Sequence, residues 1–232
     1  MAFAASGGHT SIYKVMGYTD YVEIGSTRDD AIGESYDKIG RMIGIPYPAG
    51  KGFDELSREG FIAAAGGECE GFYEKYRKSS AYSEFALPSP ALHDGSLDFS
   101  FSGLKTAAIN LLHRFEMKGE KIDRAAFAAK YTYEATEAVV RQLSMALEQN
   151  PECDLVAAGG VTANSHLRAA LSRLAQKRGV KLYIPKLEYC GDNAAMIAAQ
   201  GYYDYKSGAR HDSSLNASAE DSIIAKSTER FT

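Results

Sequence analysis

Asp154-Leu155-Val156-Ala157-Ala158-Gly159-Gly160-Val161-Thr162-Ala163-Asn164 carries a short apolar run into a glycine pair and then into a helical pattern. Asp154 to Ala158 reads as a short buried strand and Thr162 to Arg178 as the helix after it. A strand that ends in Gly-Gly and enters a helix lets a nucleotide lie close to the backbone at the strand's carboxyl end. Asn164 then falls in the first turn of that helix, where its carboxamide can address a base or ribose edge. The stretch has neither G-x-G-x-x-G spacing nor a Walker lysine, and a Gly-Gly turn also serves helix packing alone.

Downstream, Lys181 to Ile184 reads as a strand and Asn193 to Lys206 as a helix, so a β-α-β-α unit closes the ordered chain. Upstream, Met1 to Ala5, Thr10 to Met16 and Tyr21 to Gly25 read as three strands, the first two joined by Ser6-Gly7-Gly8-His9. The period then changes. Ala31, Ile32, Tyr36, Ile39, Met42 and Ile43 recur at helical spacing from Asp29 to Ile43, with Asp29 and Asp30 placed to cap that helix. Ile45 to Gly52 is a Pro/Gly loop, Phe53 to Ala65 a helix, and Phe72 to Phe99 irregular. Ser102 to Phe115 and Arg124 to Gln149 are helices, and the tail from Ser207 to Thr232 is polar and loosely attached. Antiparallel strands followed by β-α-β-α predict an α/β fold, one mixed sheet flanked by helices.

The 232 residues are 45% hydrophobic and 24% charged, enough apolar material for a sizeable core and too much for a disordered chain. No apolar run reaches the roughly 18 to 20 residues of a membrane span. The opening MAFAASGGHT lacks the charged n-region of a secretory signal, which predicts a cytoplasmic protein. A net charge of −4 argues against a self-sufficient nucleic-acid binder, though not against binding through a local patch or a helper subunit. Cys69, Cys153 and Cys190 are too few and too scattered for a disulfide framework or a zinc knuckle.

Three further groups carry possible chemistry. Ser6-Gly7-Gly8-His9-Thr10 joins two strands, and its glycines let backbone N–H groups converge on an anion; a plain tight hairpin accounts for it equally well. Asp30, Glu34 and Asp37 share one helical face, which is either a solvated acidic surface or a set of carboxylates with a neutralising partner. Asp192, in Cys190-Gly191-Asp192-Asn193 before a small-residue helix, is either a helix cap or a hard metal ligand. His9, His93, His113, His166 and His211 include no pair at the i, i+4 spacing of a helical metal site.

The blocks SGGHT, DDAIGESYDKIGRMIGIPYPAG, DFSFSGLKTA, GGVTANSHLR and CGDNAAMIA, in that order from residue 6 to about 206, resemble the TsaD/Gcp family of tRNA adenosine threonylcarbamoyltransferases. An older label for the family is O-sialoglycoprotein endopeptidase. The resemblance implies an actin/Hsp70-like ATPase (ASKHA) fold of two lobes. It also implies transfer of threonylcarbamoyl from threonylcarbamoyl-AMP to N6 of adenosine 37 in ANN-decoding tRNAs. Site roles carry over residue by residue. Ala4, Ala5, Ser6, Gly7 and Gly8 match the substrate-binding loop; Asp37, Gly50 and Asp54 match further substrate contacts; Asn164 matches the adenosine-side contact; Asp192 matches a ligand of one divalent metal, iron or zinc. An ATP- or AMP-type nucleotide and accessory TsaB- or TsaE-like proteins are implied with them, besides tRNA.

Members of the family also carry a region ahead of SGGHT with a first phosphate loop and an H-x-x-x-H pair that completes the metal site. YPAG stands where YPGG is usual, and Cys190-Gly191-Asp192-Asn193 where C-T-D-N is usual. The expectation is therefore a second lobe over residues 1–206, with a helical or irregular insertion near 53–120 and a polar tail over 207–232. Such a lobe is incomplete as a catalyst, holds no tight metal alone and can self-associate through its exposed lobe surface. A non-catalytic nucleotide-binding scaffold, a sugar or carboxylate kinase of the same fold and a metalloprotease-type glycoprotease are the alternatives.

Overall fold

The computed structural model describes residues 1–67, 71–79, 81–92 and 94–209. Cys69, His93, His211 and the tail beyond 209 lie outside them. Five strands form one mixed sheet in the order β3-β2-β1-β4-β5, with β1 Ala2–Ala5, β2 Thr10–Val15, β3 Tyr21–Ser26, β4 Leu155–Ala158 and β5 Leu182–Tyr183. β1, β2 and β3 are antiparallel neighbours, whereas β4 and β5 run parallel to β1. The sequence therefore places β1 at the centre, between the hairpin and the β-α-β unit.

Alternation along the strands gives the sheet two unlike faces. Phe3 pairs with Ile12 and Ala157, all fully buried, on the inner face. Ala2, Tyr13, Val156 and Tyr183 share the other face through the same registers, and Val156 and Tyr183 stay 40% and 52% exposed. β4 is thus buried on one side only, a correction to its reading as a wholly buried strand.

Helices α1 Ile32–Met42, α2 Gly50–Ala64, α4 Ser102–Lys118, α5 Arg124–Gln149 and α6 Ser165–Arg178 join the inner face in one core. α5, capped by Asp123, supplies Phe127, Tyr131, Val139 and Leu143, each fully buried. Burial stabilises such side chains by about 1.5–3 kcal/mol each. Inside the stretch expected to be irregular, α3 Phe72–Lys78 puts Tyr76 edge-on to Phe61 at 4.8 Å. α2 begins three residues before the expected Phe53, and α7 Ala194–Lys206 has no buried residue. α7 meets the sheet's far end where the rings of Tyr18 and Tyr203 stack at 3.8 Å. No described helix is long and apolar enough to cross a membrane.

Asp29 and Asp30 do not cap α1. That helix starts at Ile32 with Ala31 as its cap residue. Asp29 instead accepts from Phe101 N at 2.8 Å, Ser102 N at 3.2 Å and both the Ser100 and Ser102 hydroxyls, so it caps α4 from across the molecule. Burial alone would raise the Asp29 carboxyl, but these donors hold it below the usual carboxylate range. Asp30 pairs with Lys105 and, at 2.7 Å, with Lys38, which also holds Glu34 at 2.7 Å. Two lysines neutralise Asp30 and Glu34, while Asp37 is turned to the Ala49 amide, and the DFSFSGLK block is the clamp that ties α4 to α1.

His166, in the first turn of α6, is buried and stacked on Phe61 at 4.2 Å. Burial pushes its pKa well below the ordinary 6.5. The unfolded chain therefore binds a proton near pH 6.5 that the folded chain refuses. Stability is full above that pH and should fall by up to about 1.4 kcal/mol per unit below it. Urea unfolding at pH 7.5 and 5.5 checks this, and the His166→Gln variant should lack that part of the slope.

Candidate functional site

At the carboxyl ends of β1 and β4 the chain opens into a cleft of about 650 Å³. Gly7, Gly33, Gly50 and Gly160 line it together with Asp37, Asp54, Ala163 and Asn164. Ser6 to His9 forms a tight turn, with Ser6 N bonded to His9 O at 2.9 Å and His9 N to Ser6 Oγ at 3.1 Å. Gly7 and Gly8 are exposed at its tip, and a Cβ on either would meet nothing within 4 Å. Their bareness leaves the loop's backbone open to an anion.

Close backbone approach assembles the walls. Gly33 in α1 faces Ser6, and an added Cβ would fall 2.4 Å from the Ser6 carbonyl oxygen. Gly159, at φ +97, lies against Ala5, where a Cβ would fall 2.3 Å from the carbonyl oxygen. Ala5 is buried and Ala4 half-buried in β1; both place the loop and neither lines the cleft. Gly8 stands at the turn outside the lining.

Asp37 lies one turn beyond Gly33 on α1 and accepts from Ala49 N at 2.7 Å through Oδ1. Asp54 in α2 accepts from both Ser165 N and Ser165 Oγ at 2.9 Å through its own Oδ1. Among the described residues, no hydrogen bond reaches the second oxygen of either carboxylate. Burial raises the Asp54 pKa, and the bonds from Ser165 oppose it.

Asn164 is not in the first turn of α6. Gly160–Ala163 forms a turn of 3-10 helix first, and Asn164 is the cap, its Oδ1 accepting from Leu167 N at 2.9 Å. It is 9% exposed, with Nδ2 as the donor available to a bound molecule. Tyr36, Tyr47, Lys51, Glu55, Val161 and Leu187 also line the cleft and were not singled out from sequence. Gly33 had a usable signal, a glycine inside a helical run. Tyr36 had none, since its spacing is that of a core residue.

Asp192 is exposed, and the cap of α7 is its neighbour Asn193, whose Oδ1 accepts from Met196 N at 3.0 Å. The helix-cap reading of Asp192 is thereby overturned. Among the described residues no three His, Cys, Asp or Glu side chains come together to hold a metal. One carboxylate such as Asp192 does not hold an ion, so the described residues do not make up a metal site. Cys190 is buried; its thiol donates to Lys186 O at 3.5 Å and its sulfur accepts from the Thr162 hydroxyl at 3.6 Å.

The sequence pattern of the family described as tRNA N6-adenosine threonylcarbamoyltransferase matches residues 1–199. A curated protein of that name from Clostridium botulinum is 38% identical over 217 residues. Those from Limosilactobacillus fermentum and Geobacillus thermodenitrificans are each 40% identical, over 219 and 218 residues. Each alignment takes in 94% of this chain, but the chain spans only 58% of each relative's length.

Proposed function

Because the chain belongs to the tRNA N6-adenosine threonylcarbamoyltransferase family, we propose that its cleft holds the nucleotide half of an acyl-adenylate whose acyl group is passed to tRNA. The donor is threonylcarbamoyl-AMP and the acceptor N6 of adenosine 37. Residues 1–206 serve as the second lobe of an actin/Hsp70-like protein, working with accessory TsaB- or TsaE-like proteins in the cytoplasm. The carrying observation is the joining of Gly7, Gly50 and Gly160 with Asp37, Asp54 and Asn164 in one cleft. Bare backbone at Gly7 suits a phosphate, and the N-termini of α2 and α6 add positive potential beside it. The free carboxylate oxygens suit ribose hydroxyls, and Asn164 Nδ2 suits an acceptor on the base.

In the reaction the exocyclic amine attacks the carbamoyl carbon, the bond from that carbon to the phosphate oxygen breaks, AMP leaves and the amine sheds a proton. An aromatic amine is a weak nucleophile, so orientation matters more than a strong base. Charge grows on the departing phosphate, and preorganised backbone donors stabilise it without reorganising. Asp192 would supply one ligand to a divalent metal in a completed protein, where the ion would polarise the carbonyl or phosphoryl oxygens.

AMP titrated into the labelled chain should shift the amides of Gly7, Gly50, Gly160 and Ser165, with a Kd on the order of micromolar or weaker. Shifts confined to another surface would refute the assignment. Asn164→Ala should weaken binding by about 0.5–1.5 kcal/mol through the lost carboxamide, read in the same titration.

A further inference from the structure

Each wall of the cleft is fastened to the next by a side chain that accepts an amide at the start of the neighbouring helix. Thr10, fully buried at the end of the glycine loop, accepts from Ile32 N, the first residue of α1, at 2.9 Å. Asp37 on α1 accepts from Ala49 N, the cap residue of α2. Asp54 on α2 accepts from Ser165 N, the first residue of α6. The order is loop, α1, α2, α6, and the last member of the series adjoins Asn164. α1 has no side-chain cap of its own, so Thr10 is the group that satisfies its leading amide.

From this geometry we infer that Thr10, which does not line the cleft, is a positioning residue for nucleotide binding. It fixes the first turn of α1 against the glycine loop, and through Asp37 it fixes the start of α2. Gly33 follows the bonded Ile32 and sits under the Ser6 carbonyl, so any drift of that turn separates α1 from the loop. Asp37 is four residues beyond Gly33 on the same face and moves with it. A binding site gains affinity when its groups are held in place beforehand by such supporting bonds. The inference rests on the nucleotide reading of the cleft only for its effect on affinity; the fastening itself is independent of the ligand.

The test compares Thr10→Val, which keeps the shape and removes the acceptor, with Thr10→Ser, which keeps the acceptor. Amide hydrogen exchange and AMP titration are measured on both and on the unaltered chain. Thr10→Val should speed exchange at Ile32 at least tenfold and also at Ala49, two links away, while Phe3 and Leu155 keep their protection. AMP affinity should fall at least fivefold, and Thr10→Ser should restore both. A uniform loss of protection, or faster exchange at Ile32 with unchanged AMP affinity, would show a merely structural threonine and overturn the inference. If the unaltered chain gives no AMP shifts, the nucleotide reading fails, and the fastening is decided by exchange: loss at Ile32 and Ala49 together supports it, loss at Ile32 alone refutes it. Should Thr10→Val fail to fold, Thr10→Ala gives the same comparison.

Discussion

Gly159→Ala should destabilise the chain by at least about 3 kcal/mol, a large part of the 5–15 kcal/mol that holds an ordinary domain together. Two costs combine. The residue sits at φ +97, a conformation closed to side chains at about 1–3 kcal/mol. The new methyl would also lie 2.3 Å from the Ala5 carbonyl oxygen, an atom of the central strand that cannot swing aside as a side-chain tip would. Relief requires β1 and β4 to part at the point where both deliver their loops to the cleft. Gly160→Ala is the matched control. It has no positive φ, and its Cβ would meet nothing within 4 Å. That variant should melt within a few degrees of the unaltered chain. Thermal unfolding of the two side by side checks the pair, and equal melting temperatures would disprove the close packing of Gly159 on β1.

The contrast between these neighbours also marks what could be read from the sequence. Period-two alternation and helical spacing are local, so the three leading strands and α5 fall where their patterns put them, α5 at both ends. The Gly-Gly turn was legible as a place of close approach, but which glycine makes it depends on β1, some 150 residues away. Caps show the same limit. An Asp ahead of a helical pattern looks like the cap of that helix, and Asp123 is one. Asp29 has the same local signature, yet it caps α4, because a cap needs only an acceptor near free amides, wherever the chain brings them. The cleft's acidic residues were legible one by one. Their bonds to Ala49 and Ser165 were not, since tertiary packing alone sets those distances. α3 was lost between glycines because a seven-residue helix has too little periodicity to stand out, although Phe72 and Tyr76 lie on one face.

Threonylcarbamoyl transfer by this chain alone should be undetectable, and adding the remaining two-fifths or so of a relative's length should raise it by orders of magnitude. Among the described residues no three His, Cys, Asp or Glu side chains gather to hold a metal, and the outer face of the sheet keeps Val156 and Tyr183 exposed. α7 has no buried residue and carries Ile197, Tyr202 and Tyr205 at 67%, 56% and 62% exposure. A helix of 13 residues without a packed face is marginal in water. Apolar side chains left exposed along one helix suit a partner surface. Tritium or mass-spectrometric detection of modified tRNA, with and without the supplied segment, measures the gain. Metal analysis after chelator-free dialysis should find a stoichiometric ion only in the completed protein. Asp192→Asn should then remove both the ion and the activity while leaving melting unchanged, since a neutral amide is a poor ligand for a hard cation and Asn193 already caps the helix. Transfer by the chain alone, or a tight metal bound to it, would show that the cleft is complete without the first lobe, and the division of labour proposed for it would be wrong.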